Sequence, residues 1–103
     1  MTIQEQAQQL EKAGAFSIVL EAMPAELAGE ITRSLQIPTI GIGAGPDCDA
    51  QVLVINDLLG INEKVPKLSK KFADLRSVMT EAVEAFIREV ESGAFPDADH
   101  SYD

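Results

Sequence analysis

The sequence predicts an α/β fold with parallel strands and flanking helices, and three observations carry that prediction. Residues 16–20 and 39–42 are short apolar runs with the β-branched content of buried strands. Between them Leu27, Ala28, Ile31 and Leu35 recur at helical spacing, enough for a helix of about three turns. A strand, such a helix and a second strand make a right-handed crossover, which sets the two strands parallel in one sheet.

Taken in order, the chain begins with a capping box, Thr2 followed three positions later by Glu5. Ile3, Ala7 and Leu10 then keep helical spacing until Gly14 offers a stop. The run 16–20 reads as a strand buried on both faces, ending at the polar Glu21. Pro24 suits a first helical position, and the stripe through Leu35 follows, with Thr32, Arg33 and Gln36 expected to face water. Ile37-Pro38 breaks that helix. Residues 39–42 resume a strand and run into Gly43-Ala44-Gly45-Pro46. The apolar stretch 52–55 suits a buried strand or a buried helix; the spacing favours a helix capped by Asp47 or Asp49, with Val52, Ile55 and Leu59 on one face and Gly60 at its end. Residues 62–70 form a Lys-rich connection containing Pro66. From Leu75 a broad stripe of Val78, Met79, Ala82, Val83, Phe86, Ile87 and Val90 predicts the last helix, with Glu84 and Arg88 at pairing distance and Gly93 as its stop. An acidic tail closes the sequence.

Composition narrows the function classes. The chain has 103 residues with 8 Lys and Arg against 17 Asp and Glu, a net charge of −9, so neither nucleic acid nor an anionic membrane surface is an expected partner. Lys64, Lys67, Lys70 and Lys71 are the single basic cluster. A hydrophobic content of 46% is that of a chain able to bury a core rather than a disordered one. One cysteine, Cys48, and an N-terminus without a secretory layout point to a reducing, cytoplasmic setting.

In parallel α/β architectures functional groups gather where the carboxyl ends of strands meet their loops. Glu21 directly follows the first strand, and the glycine loop Gly41, Gly43, Gly45 directly follows the second, so both belong to one rim. A carboxylate there, beside Leu20 and Met23, is placed to act as a general base, or simply to end a strand. The glycines match neither the dinucleotide fingerprint nor the phosphate loop. They permit close approach of backbone to a ligand or to a neighbouring loop. Asp97, Asp99, His100 and Asp103 include metal-ligand types, but nothing in the tail is expected to fix them, so no metal site is assigned. Ser101 beside His100 is not a nucleophile pair, and Cys48 carries no sign of thiolate stabilisation.

Several of these segments together closely resemble the ketopantoate hydroxymethyltransferase family. The resemblance lies in Ser17-Ile18-Val19-Leu20-Glu21-Ala22-Met23-Pro24 with Glu26-Leu27-Ala28, in Ile37-Pro38-Thr39-Ile40-Gly41-Ile42-Gly43-Ala44-Gly45, and in Gln51-Val52-Leu53-Val54 with Asp57 and Gly60. It continues through Pro66-Lys67, Glu89-Val90-Glu91-Ser92-Gly93, Phe95-Pro96 and His100-Ser101-Tyr102. Ala50 departs from it, the family having glycine after the aspartate. The resemblance implies a (β/α)8 TIM barrel of the phosphoenolpyruvate/pyruvate type and a place in pantothenate biosynthesis. The implied reaction transfers a hydroxymethyl unit from 5,10-methylenetetrahydrofolate to the small-molecule substrate 3-methyl-2-oxobutanoate, giving 2-dehydropantoate, with Mg2+ chelating the keto acid. The family's base is the glutamate of the strand-end motif, which falls on Glu21. A homo-oligomer is implied as well.

Such barrels run to about 250 residues and eight strands, so the resemblance covers only a C-terminal portion. The family's magnesium-binding carboxylates, substrate-holding serine and lysine, and histidine have no counterpart here. We therefore expect one partial barrel domain over 1–103, with βα units and rim motifs in 1–61, the Lys-rich connection and last helix in 62–93 and the acidic tail in 94–103. The expected function is an enzyme piece, inactive alone and completed by an N-terminal half. The alternative is a non-catalytic interaction or oligomerisation module using the stripe 75–90, and retention of Glu21 and the glycine loop favours the enzyme piece. A small flavodoxin-like domain is a weaker reading, there being too few strands. Open sheet edges and an uncovered inner face predict self-association or a molten state in isolation.

Overall fold

A computed structural model describes all 103 residues. The order of elements is α1 (Ile3–Lys12), β1 (Ile18–Glu21), α2 (Ala25–Ser34), β2 (Thr39–Ile42), β3 (Ala50–Gln51), α3 (Ile55–Leu58), α4 (Leu75–Ser92) and a 3₁₀ turn at Ala98–His100. The chain is mixed α/β with a small parallel sheet, in the order β1-β2-β3. It divides into two compact units, one made of Met1–Val54 with Pro66–Lys70, the other of Ile55–Val65 with Lys71–Asp103.

In the first unit α1 starts as its sequence dictates. The Glu5 N–H donates to Thr2 Oγ1 at 3.1 Å, and the Thr2 N–H donates back to Glu5 Oε2 at 2.8 Å. Two otherwise orphaned helix-end donors are thereby satisfied. Gly14, at φ 105°, follows the C-cap Ala13. The glutamate at position 11 has a role no local pattern announces: its Oε2 accepts the N–H groups of Gln36 (2.6 Å) and Ile37 (3.0 Å), fixing the α2-to-β2 turn.

β1 and β2 pair in parallel from Ile18↔Thr39 to Glu21↔Ile42, as the crossover reading requires. One face of β1, Ile18 and Leu20, is buried with Ala7, Ala28, Ile31, Leu35 and Ala44 to form the core. The other face is not buried: Val19 is 56% exposed and Glu21 is exposed. Phe16 is also exposed, so the expected strand buried on both faces is corrected to one with a single covered face. Helices α1 and α2 supply one layer only, and a continuous apolar run does not reveal that its second layer is missing.

Thr32 departs from its expected outward position as well. Its hydroxyl donates to Ala28 O at 2.8 Å and lies 2.8 Å from the hydroxyl of the fully buried Thr39. Thr39 in turn clasps Asp49, its N–H donating to Asp49 Oδ2 at 2.8 Å while the Asp49 N–H reaches Thr39 Oγ1 at 3.2 Å. This clasp corrects the reading of 52–55. Asp49 is engaged with β2 and caps nothing, Ala50 and Gln51 pair with Ile40 and Gly41 as a third parallel strand, and the Val52 N–H extends the ladder to Gly41 O at 3.0 Å. The helix that follows is a single turn beginning at Ile55, and Val52, Val54 and Ile55 are exposed.

In the second unit α3 ends at Gly60, φ 71°, as expected. A Cβ there would stand 2.1 Å from the Ala73 carbonyl oxygen, so only glycine fits. The buried Asp57 accepts from Asn62 Nδ2 at 2.7 Å. The Phe72, Leu75 and Arg76 N–H groups donate to Leu58, Leu59 and Gly60 carbonyls. Asp74 caps α4 through the Ser77 hydroxyl (2.7 Å) and N–H (3.4 Å), and Gly93 ends it at φ 80°. No residue of α4 is buried; Val78 and Val83 are 60% and 57% exposed. His100 and Asp97 meet at 2.6 Å, whereas the expected pairing of Glu84 with Arg88 is not formed. A solvated pair of this kind gains little against the entropy of holding two long side chains. The tail is better fixed than its composition suggested: Asp97 caps the 3₁₀ turn, and Phe95 bridges Phe86 and His100 with ring centroids 5.7 Å apart on each side. No helix is long and apolar enough to cross a membrane.

Candidate active site at the strand-end rim

Parallel pairing puts the carboxyl ends of β1 and β2 side by side, so Glu21 and Ile42 are register partners at one edge of the sheet. Glu21 alternates with the buried Leu20 and shares the uncovered face with Val19. Its side chain is exposed. Immediately after it the backbone turns. Ala22 has φ 51°, the one non-glycine residue of the chain with positive φ, and Pro24 then leads into α2. The turn is fastened to the glycine loop by two consecutive donors, the Ala22 N–H to Ile42 O (2.9 Å) and the Met23 N–H to Gly43 O (3.1 Å).

The three glycines meet three different neighbours. A Cβ on Gly41 would lie 2.9 Å from Cys48 Sγ, on Gly43 2.8 Å from two Leu68 side-chain carbons, and on Gly45 2.2 Å from Ala25 Cβ. Gly43 and Gly45 also have positive φ, 67° and 78°. Close protein approach thus accounts for the glycine at each position. Of the three, Gly43 faces open space too, as part of a cleft of about 640 Å³ walled by Ala22, Met23, Ala25, Pro66, Lys67 and Leu68. That size lies in the range of small-molecule sites, and Lys67 is its single charged wall residue.

The arrangement brings Glu21 to the exit of β2, but the expected loop of three glycines is corrected: Gly41 lies inside β2, paired with Leu20 and Gln51, and only Gly43 and Gly45 follow the strand. What sequence reasoning missed is the left-handed Ala22, since alanine carries no signal for that conformation, and the wall made by Lys67 and Leu68, which the basic cluster and Pro66 only hinted at. No three His, Cys, Asp or Glu side chains cluster closely enough to hold a metal ion. The tail residues Asp97 and His100 engage each other instead, Asp97 Oδ1 lying 2.6 Å from His100 Nδ1.

Comparison with known proteins is consistent along nearly the whole chain. The sequence profile of ketopantoate hydroxymethyltransferase matches residues 1–98. A protein of Pelobacter propionicus named 3-methyl-2-oxobutanoate hydroxymethyltransferase is 58% identical over 101 residues, covering 97% of this chain and 38% of the relative. Proteins of the same name from Acidothermus cellulolyticus and Chlorobaculum parvum are 57% and 54% identical over 101 residues, with 37% and 36% of their lengths covered. The chain therefore spans little more than a third of these relatives. On this agreement over 98 residues the chain belongs to the ketopantoate hydroxymethyltransferase family.

Proposed function

We propose that this chain is the base-bearing portion of a (β/α)8 barrel enzyme that transfers a hydroxymethyl unit from 5,10-methylenetetrahydrofolate to 3-methyl-2-oxobutanoate, giving 2-dehydropantoate. The observation that carries the reading is Glu21, a carboxylate ending β1 on the uncovered face of the sheet and beside the glycine-rich exit of β2. In this reading Glu21 removes the proton from C3 of the keto acid, and the resulting carbanion bonds to the one-carbon unit while its bonds to the folate nitrogens break, water supplying the hydroxyl oxygen and tetrahydrofolate leaving. The cleft beside it, apolar apart from Lys67, suits an organic anion. No three ligating side chains converge within the chain, and the Mg2+ that the family resemblance implies is assigned to ligands outside it. Stabilisation of the developing enolate charge is thus assigned to residues outside the chain, and the chain alone is expected to be silent. The complete enzyme is read as a cytoplasmic homo-oligomer acting in pantothenate biosynthesis.

The test is a graft of residues 1–98 in place of the matching third of the Pelobacter propionicus relative, following exchange of the C3 hydrogen of 3-methyl-2-oxobutanoate for deuterium by NMR. Exchange in the graft that falls by about 10²–10⁴-fold in Glu21→Gln supports the reading. Undiminished exchange in Glu21→Gln sinks it. A second reading, a module that self-associates through α4, is favoured by one observation, that the helix has no buried residue.

A further inference from the structure

Ala22 is the feature of the rim that no assigned role explains. A left-handed alanine crowds its Cβ against the following carbonyl, and chains place glycine or asparagine there when the turn alone matters. Here the conformation occurs once among all non-glycine residues, directly after Glu21. It is fixed from both sides: the Ala22 and Met23 N–H groups are both committed to β2 and its glycine loop, and Pro24 restricts the chain two residues later. The residue also walls the cleft. A backbone outlier that the surroundings hold so closely, next to a candidate base and against a ligand-sized space, is where strain serves positioning.

We infer that Ala22 is a positioning residue: its left-handed turn, locked onto Ile42 and Gly43, fixes the direction in which the last residue of β1 presents its carboxylate, and its methyl group denies the turn the freedom glycine would bring. The inference rests on the reading of Glu21 as the base. Glycine at 22 relieves the steric cost of positive φ but widens the accessible backbone range. Asparagine tolerates the left-handed region while keeping a side chain, and valine does not tolerate it. Stability and catalysis should therefore part company at this position, which a purely structural role would not produce.

The experiment uses the graft described above with Ala22→Gly, Ala22→Asn and Ala22→Val, measuring kcat and KM for C3 hydrogen exchange alongside thermal midpoints. Ala22→Gly is expected to keep or raise the midpoint, leave KM unchanged and lower kcat about tenfold. Ala22→Asn is expected to retain kcat within about twofold, and Ala22→Val to lose both midpoint and rate. Parental kcat in Ala22→Gly overturns the inference, while Glu21→Gln in the same series reports separately on the base. A readout independent of activity comes from the graft isotopically labelled at Ala22 and its neighbours, where the intraresidue HN–Hα NOE and the three-bond coupling report φ at 22. A left-handed Ala22 whose neighbours gain fast backbone motion in Ala22→Gly supports the inference; an extended Ala22, or unchanged motion in the variant, overturns it.

Discussion

Gly45 and Ala25 meet backbone to backbone, the exit of β2 pressing on the first residue of α2 so closely that a Cβ at 45 would fall 2.2 Å from Ala25 Cβ and 2.8 Å from its Cα. Gly14 offers the control for this contact. It too has positive φ, 105°, but nothing lies within 4 Å of the position its Cβ would take.

Gly14→Ala therefore measures backbone strain alone and is expected to cost about 1 kcal/mol. Gly45→Ala adds a clash with main chain that no rotamer change relieves, and a loss exceeding about 2 kcal/mol is expected. Urea midpoints of the two variants make the comparison. Equal losses would mean that the β2 exit yields and that the close approach is not maintained in solution.

The buried clasp between Thr39 and Asp49 gives a second prediction. Thr39→Val keeps the shape but removes the hydroxyl that meets Thr32 and the Asp49 N–H, at an expected cost of about 1–3 kcal/mol. In a double-mutant cycle with Asp49→Ala, the two residues should couple by about 0.5–3 kcal/mol, because each side chain accepts from the other's backbone N–H. Additivity within error would remove the clasp as the element that holds β3 against β2.

Asp74 predicts how the second unit answers to acid. The Ser77 hydroxyl and N–H hold its carboxyl below the ordinary value of 3.8. A lowered folded-state pKa means that the stabilisation is present above the ordinary value and is lost as pH falls through the folded one. The N-terminal turn of α4 should thus stay capped at pH 4 and above and fray only below 3.8. The Ser77 amide shift followed against pH checks this, and Asp74→Asn should flatten the profile. A transition centred above 3.8 would contradict the capping geometry.

The uncovered stripe of α4 predicts self-association of the isolated chain. Val83 and Phe86, 57% and 55% exposed, lie at its middle. Val83→Glu with Phe86→Glu should shift sedimentation toward the monomer while leaving helicity in place. A parent chain that sediments as a monomer and unfolds in one sharp transition would refute the expectation.

How much of this was legible beforehand depended on whether the signal was local. Thr2 with Glu5, Gly14, Gly60 and Gly93 marked helix ends correctly because capping and positive φ are satisfied within a few residues. The parallel pair and the shared rim of Glu21 with Gly43 and Gly45 followed from crossover handedness. The third strand was missed because Ala50 and Gln51 are poor strand formers and are held there by a threonine some ten positions earlier. The Glu11 clamp on Gln36 and Ile37 spans 25 and 26 positions and has no periodicity to betray it. The exposed face of β1 was hidden by a run that looks the same whether one layer or two cover it.

The partition of the chain has a topological consequence. Because residues 66–70 belong to the first unit and the stretches on either side of them to the second, the polypeptide passes from one unit to the other three times, after Val54, Val65 and Lys70. The units are interleaved rather than strung in sequence, so no single nick by a protease releases either one whole. Cutting after Val54 leaves Leu68, whose side chain packs against Gly43, with no covalent link to the sheet. The wall of the cleft is thus supplied by a later stretch of the first unit's own sequence, and limited proteolysis should register its loss before the sheet itself comes apart.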